Sequence, residues 1–361
     1  MPGLSKSVYL AAIFGLLVAV PAAGSGDDAR GAIAGSVVSF QPPGAAGVLH
    51  FYVSRTPGIG GSSPSHALIA VHGHPRDANK TFDAAVAAAQ RADRVDDTVI
   101  AAPIFQVPRP ESDKCRTKGV PEAEAGDLVW TCESWLEGGL ASNDPHFSSF
   151  DALDAVVAEL IRQWPDLRTI TVAGFSAGAQ MVQHQIGFAA ERPGVTLRYV
   201  VADPGIWLYF DPDRPLPQGG QAGWSSCDGS DLTRCVFEFV APSDCAELNQ
   251  WKYGMADIPA QLQPGAAQAR QRYAGADIHY LEGALDSGDA KGTYYRILDK
   301  SCAAEAQGPY RLQRGIAYAA YDRAKLAPRL DRHVTLIPGC AHDVACVFPS
   351  DAARAALFGS R

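Results

Sequence analysis

Residues Gly174-Phe175-Ser176-Ala177-Gly178 set a serine with a glycine two positions to each side. The run before it, "TITVAGFS" (Thr169 to Ser176), reads as a buried strand, and "AGAQMVQHQIGFAAE" after it carries apolar residues at helical spacing. Ser176 therefore falls on a strand–turn–helix corner, where the backbone folds so tightly that side chains beside the serine would collide. Glycine has no side chain to collide, which accounts for both flanking positions. A serine hydroxyl is a poor nucleophile at neutral pH and needs a base, ordinarily a histidine oriented by a carboxylate. Of nine histidines, His342 in "LIPGCAHDVACVF" sits in the loop after the last predicted strand and opens onto the same sheet edge as Ser176. The carboxylate is expected after the strand that lies between serine and histidine. There "HYLEGALDSGDAKG" offers Asp286, which follows the strand directly and is favoured, and Asp289; Asp244 in "FVAPSDC" is a third candidate. Attack on a carbonyl also creates an oxyanion that needs N–H donors. The backbone amide of Ala177, at a helix N-terminus, is one; that of His74, in "IAVHGHPRD", is the other. Such a set performs acyl transfer, and it requires no cofactor. His72 and His74 flank a glycine with no third ligand near them in sequence, which makes a poor metal site.

The elements that must carry these residues alternate along the chain. "GVLHFYVSR", "HALIAVHG", "TVIAAPIF", "TITVAGFS", "RYVVADPG", "DIHYLEGALD" and "RHVTLIPG" read as strands. "TFDAAVAAAQRAD", "SSFDALDAVVAELIRQW" and "AGAQMVQHQIGFAAE" read as helices between them, with Ser148 or Ser149 capping the second and Pro165 just past its end. The order predicts an α/β fold: a mostly parallel sheet of about eight strands with helices on both faces. In such sheets ligands bind at the carboxyl ends of the strands, where Ser176 stands. Residues 106–147 and 207–272 are too long for simple connections and are expected to be lid-like insertions into a single domain spanning 25–361. Trp130, Trp135, Trp207, Trp224 and Trp251 crowd into them and read as packing for small substructures.

The chain has 361 residues and a formal charge of −8, from 39 acidic and 31 basic side chains. With no basic block, a nucleic-acid partner is not expected. The start, "MPGLSKSVYLAAIFGLLVAVPAAGSGDDAR", has a lone Lys6, an apolar run from Val8 to Val20 and then small residues. That is the layout of a cleaved secretory signal over residues 1–24; the run is short for a bilayer span, so stable membrane insertion is not expected. Export, secreted or periplasmic, agrees with eight cysteines, all after the signal, which read as structural bridges. Cys115 with Cys132, Cys227 with Cys235 and Cys340 with Cys346 would close local loops and leave Cys245 with Cys302, although spacing alone leaves the pairing open.

Taken together, His-Gly after an early strand, Gly-x-Ser-x-Gly and the order Ser, Asp, His resemble the α/β-hydrolase superfamily over roughly Gly47 to Phe348. More narrowly, "SSFDALD", "GFSAGAQ", "NQWKYG", "DKSCAAEAQGPYRLQRG" and "IPGCAHD" resemble a group of bacterial and fungal members of largely unassigned substrate. The resemblance implies an ester-type serine hydrolase with Ser176, Asp286 and His342 as triad and a small-molecule or polymeric ester as substrate. The same triad could cut an amide or peptide bond, and a catalytically silent binding protein on this scaffold is the reading from a different class. One departure is Ala179-Gln180 after the corner, where many members have two small residues. Arg311 and Arg314 are candidate contacts for an anionic substrate group, though a structural role is favoured for both.

Overall fold

Near-continuous runs of Val, Ile and Ala have no polar face to show to water, so they become the strands covered on both sides. In the computed structural model, which describes residues 35–58 and 63–359, eight strands form one sheet. They are β1 (Ser36–Phe40), β2 (Leu49–Val53), β3 (His66–Val71), β4 (Thr98–Ile104), β5 (Thr169–Phe175), β6 (Thr196–Ala202), β7 (Asp277–Gly283) and β8 (Val334–Ile337). Their spatial order is β1-β2-β4-β3-β5-β6-β7-β8. The first two pairings, β1 with β2 and β2 with β4, are antiparallel, and the remaining five are parallel. β4 is buried at every position and β3 and β5 at all but the first. The expected signal, residues 1–24, lies outside the described residues.

Helices α1 (Ala78–Arg91), α2 (Ser149–Gln163) and α3 (Ala177–Gln185) follow the central strands. Ser148 caps α2: its hydroxyl accepts from the Asp151 N–H, and the Asp151 carboxylate accepts from the Ser148 N–H, which satisfies two otherwise orphaned donors. The helix expected from Ala177 onward stops at Gln185, short of "GFAAE". Gly187 approaches α4 (Ala266–Gly275) so closely that a Cβ there would stand 2.7 Å from the Ala269 carbonyl oxygen.

The two predicted insertions are built around disulfides and aromatic rings. The first carries a small hairpin, Leu140–Ala141 with Asp144–Ser148, and the Cys115–Cys132 bridge. The second carries the hairpin Arg214–Pro217 with Phe237–Val240 and the Cys227–Cys235 bridge. Cys245–Cys302 ties the second insertion to the chain beyond β7, and Cys340–Cys346 brackets His342. Trp130, Trp135 and Trp207 are fully buried. The Trp251 indole N–H donates to the Glu137 carbonyl, fastening one insertion to the other. No helix of the described residues is long and apolar enough to cross a membrane.

Candidate active site

The corner at Ser176 is as tight as its glycines imply. Ser176 has φ 58°, a left-handed value that costs a non-glycine residue about 1–3 kcal/mol. A Cβ on Gly174 would stand 2.2 Å from the Gly178 carbonyl oxygen, and one on Gly178 would stand 2.3 Å from the Val71 oxygen. Neither position has room for another residue. The Ser176 N–H donates to the Ala202 carbonyl at the end of β6, which holds the corner against the sheet. Its hydroxyl is left at the mouth of α3, half-buried.

His342 and Asp286 reach that hydroxyl from the ends of β8 and β7. His342 Nε2 is 2.8 Å from Ser176 Oγ, and its Nδ1 is 2.8 Å from Asp286 Oδ2. The two loops are laced together: the Leu285 N–H donates to the Cys340 carbonyl, and the Ala284 N–H to that of Ile337. A Cβ on Gly283 would come within 2.8 Å of the Cys340 and Ala341 oxygens, so only glycine permits this approach. Phe175, directly before the serine, lies 4.8 Å ring to ring from His342 and fixes its plane. The other candidate acids, Asp289 and Asp244, are exposed.

Burial lowers the pKa of the His342 imidazole from its ordinary value, and the nearby charge of Arg311 lowers it further, against the opposing pull of Asp286. The ring is therefore neutral at pH 7, with Nδ1–H donating to the carboxylate and Nε2 accepting from the serine. That tautomer can take the serine proton. Arg311 Nη1 lies 3.5 Å from Asp286 Oδ1 and donates to the Thr293 carbonyl at 2.6 Å. Both Arg311 and Arg314 are buried, and Arg314 donates to the carbonyls of Gly308, Gly205 and Asp299. Arg311 thus serves Asp286 and Arg314 the backbone.

The loop Gly73–His74 borders the serine; a Cβ on Gly73 would stand 3.7 Å from the Ser176 Cβ. Among the described residues the amides of His74 and Ala177 donate to no protein acceptor, so both can serve an incoming oxygen. His72 is occupied otherwise. Its Nδ1 donates to the Gly73 carbonyl at 2.8 Å, its Nε2 accepts from the Phe105 N–H, and burial pushes it down to about 3, so it is neutral and engaged at both nitrogens. Asp203, Asp286 and His342 also converge, with one ligand-type atom each within 4.8 Å of the others. The Arg311 guanidinium already supplies positive charge to that cluster, and the Asp286–His342 hydrogen bond uses its inner atoms.

Three features of the site were not read from the sequence as part of it. Asp203 at the end of β6 is fully buried at φ 51° and accepts from the Gly283 N–H at 2.7 Å. Glu282, also fully buried, lies against it. As two carboxylates they would face each other with no proton between Asp203 Oδ2 and the Glu282 oxygens; a proton on Glu282 makes it the donor and Asp203 the acceptor. Burial first holds both groups above the usual carboxyl range, with the charge of Asp286 raising Asp203 further and that of Asp203 raising Glu282. The third feature is Gln180, which lines the cavity above Ser176. That cavity has a volume of about 940 Å³, within the range of small-molecule sites, and Lys114, Glu133 and Leu136 from the first insertion and Lys252 from the second form part of its wall. No tryptophan lines it.

No protein-family model matches the chain, and no curated protein matches it in sequence. Solved structures do match in three dimensions. Poly(aspartic acid) hydrolase-1 from Sphingomonas sp. KT-1 is similar with a TM-score of 0.56 at 18% identity, over 90% of this chain and 98% of that one. LpqC, a poly(3-hydroxybutyrate) depolymerase from Bordetella parapertussis, is similar with a TM-score of 0.55 at 16% identity, over 89% of each chain. With the strand order given above, these similarities establish that the chain has the α/β-hydrolase fold.

Proposed function

We propose that the protein is an exported serine hydrolase that cleaves carboxylic esters, with Ser176, His342 and Asp286 as its triad. The observation that carries the reading is the single imidazole that bridges Ser176 Oγ and Asp286 Oδ2 at 2.8 Å on each side. Ser176 attacks the ester carbonyl while His342 Nε2 takes its proton. The tetrahedral oxyanion forms at the mouth of α3, where the amides of His74 and Ala177 stabilise it; one such donor is worth about 3 kcal/mol in the transition state. His342 then returns the proton to the leaving alcohol, and water repeats the sequence on the acyl-enzyme. Asp286 keeps the proton on Nδ1 and stabilises the imidazolium that forms. Arg311 in turn holds Asp286.

Export is supported by the pairing of every cysteine among the described residues. The insertions at 106–147 and 207–272 contribute Lys114, Glu133, Leu136 and Lys252 to the cavity wall within one catalytic domain. The named substrates of the two similar structures are polymers, which favours a polymeric ester over a small one. The amide reading has a specific ground, since one of those two proteins is named for poly(aspartic acid). Ester and anilide substrates sharing one acyl group, at equal concentration, separate the two. The ester reading expects kcat/KM for the ester to exceed that for the anilide by about 10³-fold or more, and Ser176→Ala to abolish both. An anilide cleaved as fast as the ester would replace esterase by amidase. Turnover that survives in purified Ser176→Ala would remove the serine mechanism altogether.

A further inference from the structure

Six glutamines are buried among the described residues: Gln106, Gln180, Gln183, Gln185, Gln307 and Gln313. Five of their carboxamides bond to protein. Gln183 and Gln307 clasp the backbone of Leu208 and Trp207 with both ends, Gln185 donates to Asp154, Gln313 to the Cys227 carbonyl, and Gln106 accepts from Arg76. Gln180 is the exception. The residue is 7% exposed, its Nε2 is buried with no acceptor, and its carboxamide makes no hydrogen bond to the protein among the described residues. Folded proteins pair most of their buried polar groups, and one left unpaired calls for a partner such as a water, an ion or a ligand; among the unpaired buried atoms here, that of Gln180 belongs to a residue lining the cavity.

The position of Gln180 says which ligand atom that is. Its backbone N–H donates to the Ser176 carbonyl at 3.0 Å, so it stands one helical turn beyond the nucleophile on α3. Residues four apart on a helix are neighbours, about 5–6 Å between Cβ atoms. The Gln180 Oε1 lies 3.8 Å from where a Cβ on Gly205 would stand, with Leu298 Cδ1 4.0 Å from the same point. All three residues line the cavity, and the absent Gly205 side chain keeps the approach to the carboxamide open. A carboxamide both donates and accepts, which suits a neutral oxygen. Of the cations on this wall, Arg311 is engaged by Asp286 and Thr293 and Lys252 by Glu137, while Lys80 and Lys114 line it as well.

We propose that Gln180 is a substrate-binding residue that hydrogen-bonds a second hydroxyl or carbonyl oxygen lying a few atoms from the scissile carbonyl. The preferred substrates are then esters bearing that extra oxygen, on the acyl or the alcohol side, rather than plain alkyl esters. The inference rests on the serine-hydrolase reading above.

Two substrate pairs locate the oxygen. Methyl 3-hydroxybutyrate against methyl butyrate tests the acyl side, and 2-hydroxyethyl butyrate against propyl butyrate the alcohol side. Wild type should favour the hydroxylated member of one pair in kcat/KM. Gln180→Leu, and Gln180→Met, which keeps the length of the side chain, should each lower that ratio about tenfold, the worth of one hydrogen bond. A ratio cancels any general loss of activity through misfolding. Ratios that neither variant changes in either pair overturn the inference while leaving the serine reading intact. A wild type that cleaves none of the four esters, and takes up no serine-reactive phosphonate, overturns both.

Discussion

On the proposed mechanism, the protonation of His342 decides when the site can work. Burial first, and Arg311 second, hold its imidazole below the ordinary value of 6.5. The acid limb of the kcat/KM profile should therefore fall below pH 6.5. Removing the cation with Arg311→Met takes away one of the two lowering effects and leaves burial alone against Asp286, so the limb should move to higher pH; a limb that stays put or moves down would show that Arg311 does not set it. Glu282 makes a different prediction, for stability. It ordinarily loses its proton near 4.5 and keeps it well above that when folded. Between those two values the folded state carries the extra proton, so unfolding free energy falls as pH rises through that window. Denaturation of Glu282→Gln at about pH 5 and about pH 8 should show a weaker fall than wild type. An equal fall would mean that Glu282 is ionised in the folded protein. Neither Asp203 nor Glu282 stood out in sequence, because each sits at a strand end with ordinary spacing and only the sheet brings them together. Arg311 was visible in the sequence as a residue favoured for a structural role or else a contact for an anionic substrate group, but its partner Asp286 lies 25 positions earlier and could not be read from spacing.

At the scale of elements, the corner and the loops around it do the positioning. Gly178→Ala puts a methyl 2.3 Å from a backbone oxygen of β3, which cannot swing away as a side chain can. Overpacking of this kind should cost about 3 kcal/mol or more, read as a lower denaturant midpoint; a loss under about 0.5 kcal/mol would mean that helix and strand are less tightly apposed than described. The Cys340–Cys346 bridge closes the loop that carries His342. With both cysteines changed to alanine, kcat should drop while the rest of the fold persists, because the imidazole loses its fixed approach to Ser176. Unchanged kcat in that double variant would make the bridge irrelevant to the site. Seven of the eight sheet strands were legible as apolar runs. β1 was not, since "SVVSF" is an edge strand with Val37 40% exposed and lacks a clean alternation of buried and exposed residues. Helix α3 was legible at its start, where glycine chemistry is local. Its end is set by the approach of α4, a contact between distant segments.

For the whole molecule, the disulfides differ in reach. Cys245–Cys302 closes a separation of 57 residues and Cys340–Cys346 one of 6. Loop-closure entropy then assigns about 4 kcal/mol to the first and about 2 kcal/mol to the second. Removing the long bridge should lower the thermal midpoint most, and the reverse order would place its effect in native-state packing instead. The even cysteine count and the short spacings pointed toward these pairs, whereas the cavity wall draws on segments scattered from Gly73 to Pro349, which only the folded chain brings together. The account as a whole stands on an activated Ser176. Intact-mass analysis of the mature protein after reaction with a serine-reactive phosphonate, beside Ser176→Ala and without reductant, tests that directly. One adduct on the wild type and none on the variant is the result predicted. No adduct on folded, disulfide-bonded wild type, or an equal adduct on the variant, would contradict it.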